Sequence, residues 1–365
     1  MSEVISHVST TAENPSGFAR RVEFANDWLT QHYWLLVPPI ILGAALKQGI
    51  DIYAFDERTA TFEQAAPYIP AVPPSYRPWK AVIAHYLPGF SLAATSYVLV
   101  AMALLLVAVL VLAVMCRKKF PRDLQLLAFS SLVLGSTGTV LFTLMGMYDT
   151  FFIVGACLFV WTRAGKSPLT LVGLALMLWA NPAQSLAGCV CLVLLALTPE
   201  FGKYRTRAIA GACIAAALEL GESIIPASGP IQEHLLQARQ SLSFTLATAP
   251  LRYLTIYGIT ITLVVLAVLA AARWALVLRL IALIVIPVGV VTVTLDGTRV
   301  GVTTVSCCMF ALMIWVVPRL EFWMKRTSIP AIALIFLVAV VPTPNAHWNG
   351  VKTPWAAVVS VIQSF

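Results

Sequence analysis

Residues 91–119 read SLAATSYVLVAMALLLVAVLVLAVMCRKK. No charged side chain occurs between Ser91 and Met115, and Arg117, Lys118 and Lys119 follow at once. About 20 apolar residues are needed to cross a hydrocarbon core as a helix. A barrel strand would alternate apolar and polar positions over about ten residues. This run does not alternate, so it reads as a helix in lipid. Leu124–Tyr148 is a second run without charge.

The whole chain follows suit. It is 59% hydrophobic and 11% charged, with a mean hydropathy of +0.87. A soluble domain carries about 25% charged residues, so this chain could not cover its apolar surface in water. The net charge is +8. In a soluble protein that excess would raise nucleic-acid binding. Here it sits in short connections, with no zinc-type cysteine spacing or RNA-binding motif, and nucleic acid is not an expected partner. Most of the seven cysteines lie inside apolar runs, as helix-packing residues would, and Cys307-Cys308 are adjacent. They form no disulfide framework. The first thirty or so residues are polar and carry no short apolar core with a cleavage site. Insertion is therefore expected to begin with the first retained span.

The expected fold is an all-α integral membrane protein of about eleven transmembrane helices. The spans are 33–49, 91–115, 124–145, 149–162, 168–181, 184–197, 208–224, 253–272, 275–294, 301–317 and 328–342. The pair around Asn181-Pro182 has an alternative reading as one broken helix. Basic clusters occupy every second connection: Arg20-Arg21, Arg117-Lys118-Lys119 with Arg122, Arg163 with Lys166, Lys203 with Arg205 and Arg207, Arg273 with Arg279, and Arg319 with Lys325-Arg326. By the orientation rule these connections are cytoplasmic. The N-terminus, residues 1–32, is then cytoplasmic, and the tail 343–365 is external. One membrane domain covers 33–342, without an internal repeat or a linker. Its long external loops are 50–90 and 225–252. The first holds six prolines and the interfacial aromatics Tyr53, Phe55, Tyr68, Tyr76, Trp79 and Tyr86. In the second, Ile231–Leu246 reads as a short amphipathic surface helix.

On this topology the external connections hold Asp51, Asp56, Glu57, Asp149, Glu222 and Asp296. Carboxylates gathered on one face of a membrane body suggest an active site there. The first group is Asp51-Ile-Tyr-Ala-Phe-Asp56-Glu57. A carboxylate at the membrane surface can serve as general base toward an acceptor hydroxyl; the alternative is a solvated loop. The second is Gly146-Met-Tyr-Asp149. Its turn is too short to leave Asp149 in free solvent, and an ionisable group at the membrane edge needs a wet cavity or a cationic partner. Asp149 also suits the start of the helix that follows. The third is Leu295-Asp296-Gly-Thr-Arg299. Arginine offers a planar fork of donors for phosphate or carboxylate; the alternative is a local Asp296–Arg299 pair that closes the turn.

Weaker candidates complete the set. Asn181 and Gln184 can hydrogen-bond a sugar hydroxyl or satisfy a helix break. Glu219 and Glu222 share one helical face. His234 reads as exposed, and His347-Trp348-Asn349 lies in the tail. Five histidines without a close pair give no zinc site. No nucleophile elbow or Walker-type loop occurs. No ligand spacing demands a metal, although paired acids leave a divalent ion open.

In outline the chain resembles the polytopic C-type membrane glycosyltransferases that use polyprenyl-phosphate-linked sugars. The resemblance lies in many spans, a long first external loop that begins with Asp51 and Asp56-Glu57, and later acidic turns on the same face. It implies that an acid of the first external loop is the base or supports the acceptor, which points to Asp51 and then Asp56. Lipid-linked O-antigen polymerases share the outline. The expectation is an integral membrane glycosyltransferase of cell-envelope polysaccharide biosynthesis, in an inner or plasma membrane. Asp51 or Asp149, with Asp56 behind them, would be catalytic. Arg299, Asp296, Glu57, Asn181 and Gln184 would bind substrate. A lipid-phosphate sugar would be the donor, and a glycan or lipid-linked saccharide the acceptor. The rival classes are a lipid-linked glycan polymerase, a transporter or flippase for a lipid-linked or small polar solute, and an assembly protein whose acids dock partners.

Overall fold

The computed structural model describes residues 17–50, 94–143, 145, 149–162, 167–224, 246–256, 258, 297–327, 329–347, 350–352, 355–356 and 359. The described chain is helical. Its helices are α1 (Gly17–Gln31), α2 (Tyr33–Gln48), α3 (Ala94–Lys119), α4 (Gln125–Val133), α5 (Ser136–Thr143), α6 (Asp149–Trp161), α7 (Leu169–Ala180), α8 (Pro182–Leu195), α9 (Arg205–Ile224), α10 (Gly297–Thr327) and α11 (Ala331–Val340). Short 3-10 turns at Arg122–Leu124 and Pro199–Tyr204 join α3 to α4 and α8 to α9. Residues 246–256 are also helical. Near the C-terminus lies a small antiparallel hairpin, β1 (Asn345–His347) and β2 (Gly350–Lys352), with His347 opposite Gly350.

The charge-free run at 91–115 is the body of α3, which ends at its three basic residues as read from sequence. One side of α3 packs inward through Ala101, Ala108, Leu112, Ala113 and Cys116, all at most 2% exposed. The other side shows Leu99, Met102, Leu106, Leu110 and Val114 to the surroundings. Those residues recur every three or four positions, so they form one stripe. Leu35 and Leu42 on α2, Leu171 on α7, and Ile332 and Phe336 on α11 extend this apolar exterior. Large apolar side chains exposed on four helices suit a lipid setting.

Among the described residues, two helices are long and apolar enough to cross a membrane, within α3 and α10. There are four if each bent pair is one span: α1 with α2, bent by 87°, and Arg122–Val133 with α5, bent by 51°. The helices α6, α7, α8 and α11 are apolar but shorter. The single span expected at 124–145 is thus two helices. A Cβ on Gly138 would lie only 1.6 Å from Val133 O, so this close approach at the break requires glycine. The alternative of one broken helix around Asn181 does not form either: Leu174 of α7 and Cys189 of α8 both lie beside Gly211 of α9, so the chain folds back at Asn181. The span 275–294 lies outside the described residues, as does most of 253–272 and of Ile231–Leu246.

The bundle has two distinct ends. At one, Tyr33 donates to Ala113 O (2.8 Å), the Arg117 guanidinium stacks on Trp34, and Phe120, Trp161 and Phe310 meet edge to face. Basic side chains here serve helix ends. Arg207 Nη1 donates to Phe159 O, Val160 O and Thr162 O at 2.7, 3.2 and 2.9 Å, closing the C-terminus of α6. Arg205 donates to Ala196 O, at the end of α8. A cation suits such carbonyls, which carry the negative end of the helix dipole. The basic cluster at Arg205 and Arg207 therefore stabilises two helix ends. The 3-10 turn at this end buries Tyr204, and desolvation pushes its hydroxyl up to about 12, with Arg207 opposing.

Candidate functional site

The opposite end is built by three helices that start together. A Cβ on Gly155 of α6 would lie 2.6 Å from Gly173 O and 2.9 Å from Met177 N, and one on Gly173 would lie 2.5 Å from Phe159 N. Glycines thus let α6 and α7 pack backbone to backbone, and this register makes them antiparallel. The chain reverses at Asn181, so α8 runs with α6. On α8, a Cβ at Gly188 would lie 3.3 Å from Thr304 O and 3.7 Å from Phe152. At the far end, Phe201 meets Trp315, and Trp161 Nε1 donates to Phe310 O (2.7 Å). Hence α6, α8 and α10 are parallel and begin at one end.

Asp149 opens α6 and is 7% exposed. Arg299 is in the first turn of α10. Their side chains meet, Arg299 Nε to Asp149 Oδ1 at 3.9 Å, with 21% and 9% of the two side chains exposed. Two candidates read separately from sequence, for different roles, are neighbours. The Asp296 of the proposed local pair lies outside the described residues, and the ion-pair partner described for Arg299 is Asp149. Helix N-termini carry free N–H groups and the positive end of the dipole. Asp149 is therefore well placed at its helix start. Arg299 is placed against its own helix dipole, and an anion beside it offsets that.

Asn181 caps α8: its Oδ1 accepts from Gln184 N at 3.1 Å, with Pro182 as the first helical residue. Ser185 Oγ donates to Asn181 O. The helix-break role weighed for these residues is therefore formed, and Gln184 is buried. Carrying the α6–α7 register forward puts this turn level with Asp149. On α9, a Cβ at Gly211 would meet Cys189 of α8, and Arg205 reaches Ala196. That antiparallel register brings Glu219 to the same end, level with Asn181. Asp51, Asp56, Glu57 and His234 lie outside the described residues, as do Trp348 and Asn349, while His347 is in β1. Among the described residues, no three His, Cys, Asp or Glu side chains gather as a metal site would require.

Two buried cations at this end were not singled out from sequence. Lys47 is fully buried in the last turn of α2. Its Nζ donates to Leu134 O (2.8 Å), at the α4–α5 break, and to Val338 O (3.0 Å), near the end of α11. Gln48 beside it donates to Leu134 O and Thr343 Oγ1, and Thr139 donates to Gln48 Oε1. The backbone of Trp355 donates to Lys47 O at 2.7 Å, so the tail returns to this end. Thr255 Oγ1 donates to Pro344 O, and one turn before Thr255 lies Arg252, also fully buried. Lys47 had a legible signal: it is the one charge in the apolar run 33–49, and an ionisable residue inside a span needs a partner. Arg252 had none, since it sits at the edge of a loop.

Comparison with protein-family models, with curated proteins and with solved structures finds no match in any of the three. The functional reading therefore rests on these residues.

Proposed function

We propose that this chain is a multi-pass membrane glycosyltransferase that moves a sugar from a lipid phosphate to a glycan or lipid-linked acceptor. The observation that carries the reading is the Asp149–Arg299 pair, 3.9 Å apart at the end where α6, α8 and α10 begin. A carboxylate and a guanidinium side by side suit transfer of a sugar from phosphate. The acceptor oxygen forms a bond to the anomeric carbon, whose bond to the phosphate oxygen breaks. Asp149 takes the acceptor proton, and the lipid phosphate leaves with the electron pair. Arg299 and the helix N-termini offset the charge on the leaving oxygens. Asp51 and Asp56, with Glu57, complete the acceptor side. Asp296, Asn181 and Gln184 contribute polar contacts.

The apolar exterior of α2, α3, α7 and α11 supports a lipid setting. The finer topology belongs to the same reading. It has about eleven spans, a cytoplasmic N-terminus, and an external site in an inner or plasma membrane. The collection of basic residues at the end away from Asp149 favours that orientation. The lipid tail of the donor would lie along the apolar exterior.

The test is the envelope glycan profile of cells that lack the chain, complemented with wild type, Asp149→Asn or Arg299→Ala. Loss of one sugar branch, restored only by wild type, is expected. Collapse of long glycans to single repeat units would make the chain a polymerase. An unchanged profile would remove the transferase reading and leave transport or assembly.

A further inference from the structure

We infer that Asp149 and the donor phosphate compete for Arg299, so that donor binding itself frees the carboxylate for the acceptor. The inference rests on the proposed function and adds an order of events to it. At 3.9 Å, the Arg299–Asp149 contact is well beyond the roughly 2.7–2.9 Å of a charge-assisted hydrogen bond. Asp149 therefore holds this nitrogen loosely. A phosphate can approach the planar guanidinium more closely and through two oxygens.

The surroundings favour that exchange. Arg299 lies in the first turn of α10, and α6 and α8 start beside it. Three helix N-termini at one end make a positive field, which an incoming anion lowers. Asp149 is not stranded by losing Arg299, because it remains at the N-terminus of α6, where a carboxylate is stabilised. An empty site thus keeps its base paired with its own anion receptor. A filled site has the phosphate on Arg299 and the carboxylate free to accept a proton. The consequence is ordered binding, donor before acceptor.

The experiment measures binding of farnesyl phosphate to the purified full chain in detergent, with farnesol as the uncharged control. Wild type, Asp149→Asn and Arg299→Ala are compared, and Asp149→Thr is a second variant that keeps an oxygen at the helix start. The expected result is tighter binding of the phosphate to both Asp149 variants, by about two- to fivefold, as for the loss of a competing pair contributing about 0.5–1 kcal/mol. Farnesol should bind all forms alike. Arg299→Ala should lose most of the phosphate dependence. Equal or weaker phosphate binding by both Asp149 variants, with Arg299→Ala still defective, would overturn the exchange and leave the donor site standing. Wild-type phosphate binding by Arg299→Ala would overturn the assignment of Arg299 as donor site, and the exchange with it.

Discussion

Replacing Lys47 by methionine removes a buried ammonium and keeps nearly the same length of side chain. The two carbonyls it serves are not equivalent. Leu134 O retains a second donor, Gln48 Nε2 at 3.2 Å. Val338 O does not have the usual helical one, because the residue four positions on is Pro342, which has no N–H. The substitution therefore strands Val338 O inside the bundle. A hydrogen bond to a charged group contributes about 1.5–3 kcal/mol, and an unsatisfied buried acceptor costs about 1–3 kcal/mol. Relief of the ammonium's own burial offsets part of this. A net loss of about 2–4 kcal/mol is expected, a large share of the roughly 5–15 kcal/mol that holds a typical protein folded. The assay is thermal unfolding of the purified chain in detergent. The midpoint of Lys47→Met should fall by roughly 3–5 °C, and Lys47→Arg, which keeps the donors, should fall less. A Lys47→Met protein that unfolds at or above the wild-type midpoint would refute the reasoning. It would mean that the lysine does not hold the α4–α5 break against the end of α11.

Other outcomes test other parts of the structure. Gly155→Ala, whose Cβ would meet the Gly173 carbonyl at 2.6 Å, should destabilise the chain by about 1–3 kcal/mol, while Gly43→Ala, with nothing within 4 Å, should not; unfolding midpoints compare them. Membrane-impermeant thiol labelling from outside should reach a cysteine placed at Thr61 and not one placed at Lys118, and the opposite pattern would invert the proposed orientation. The Tyr204 hydroxyl is raised to about 12 by burial, so the folded state keeps its proton above the pH at which the unfolded chain loses it. Its contribution is complete below about pH 10 and is lost as pH rises toward 12; Tyr204→Phe should show a shallower loss of stability in that window. Asp149→Asn should abolish glycan product at near-normal protein level, because a general base supplies about 10²–10⁴ in rate, whereas a lost helix cap acts through abundance.

Much of the local structure was legible. The charge-free run before Arg117 gives α3, and the apolar run from Tyr33 gives α2, with Gly49 at its end. Asn181-Pro182 marks the start of α8 because asparagine caps and proline accepts the first helical position. The break inside 124–145 was missed. Hydropathy averages over the whole run, while the break depends on the close approach of Gly138 to Val133, which no composition shows.

The partners of the charges were not legible. From sequence alone Arg299 had an obvious local neighbour in Asp296, and Asp149 had none. The structure joins Arg299 to Asp149 because close contacts at Gly155, Gly173 and Gly188 align α6, α8 and α10 so that their first turns meet. Lys47 likewise finds Leu134 and Val338, far apart in the chain. Periodicity, propensity and capping are properties of a few consecutive residues, so sequence by itself determined the helical class, many helix ends and the segregation of charge. Which charge meets which depends on the register between helices distant in sequence, set by side-chain volume at their contacts, and only the tertiary structure decided it.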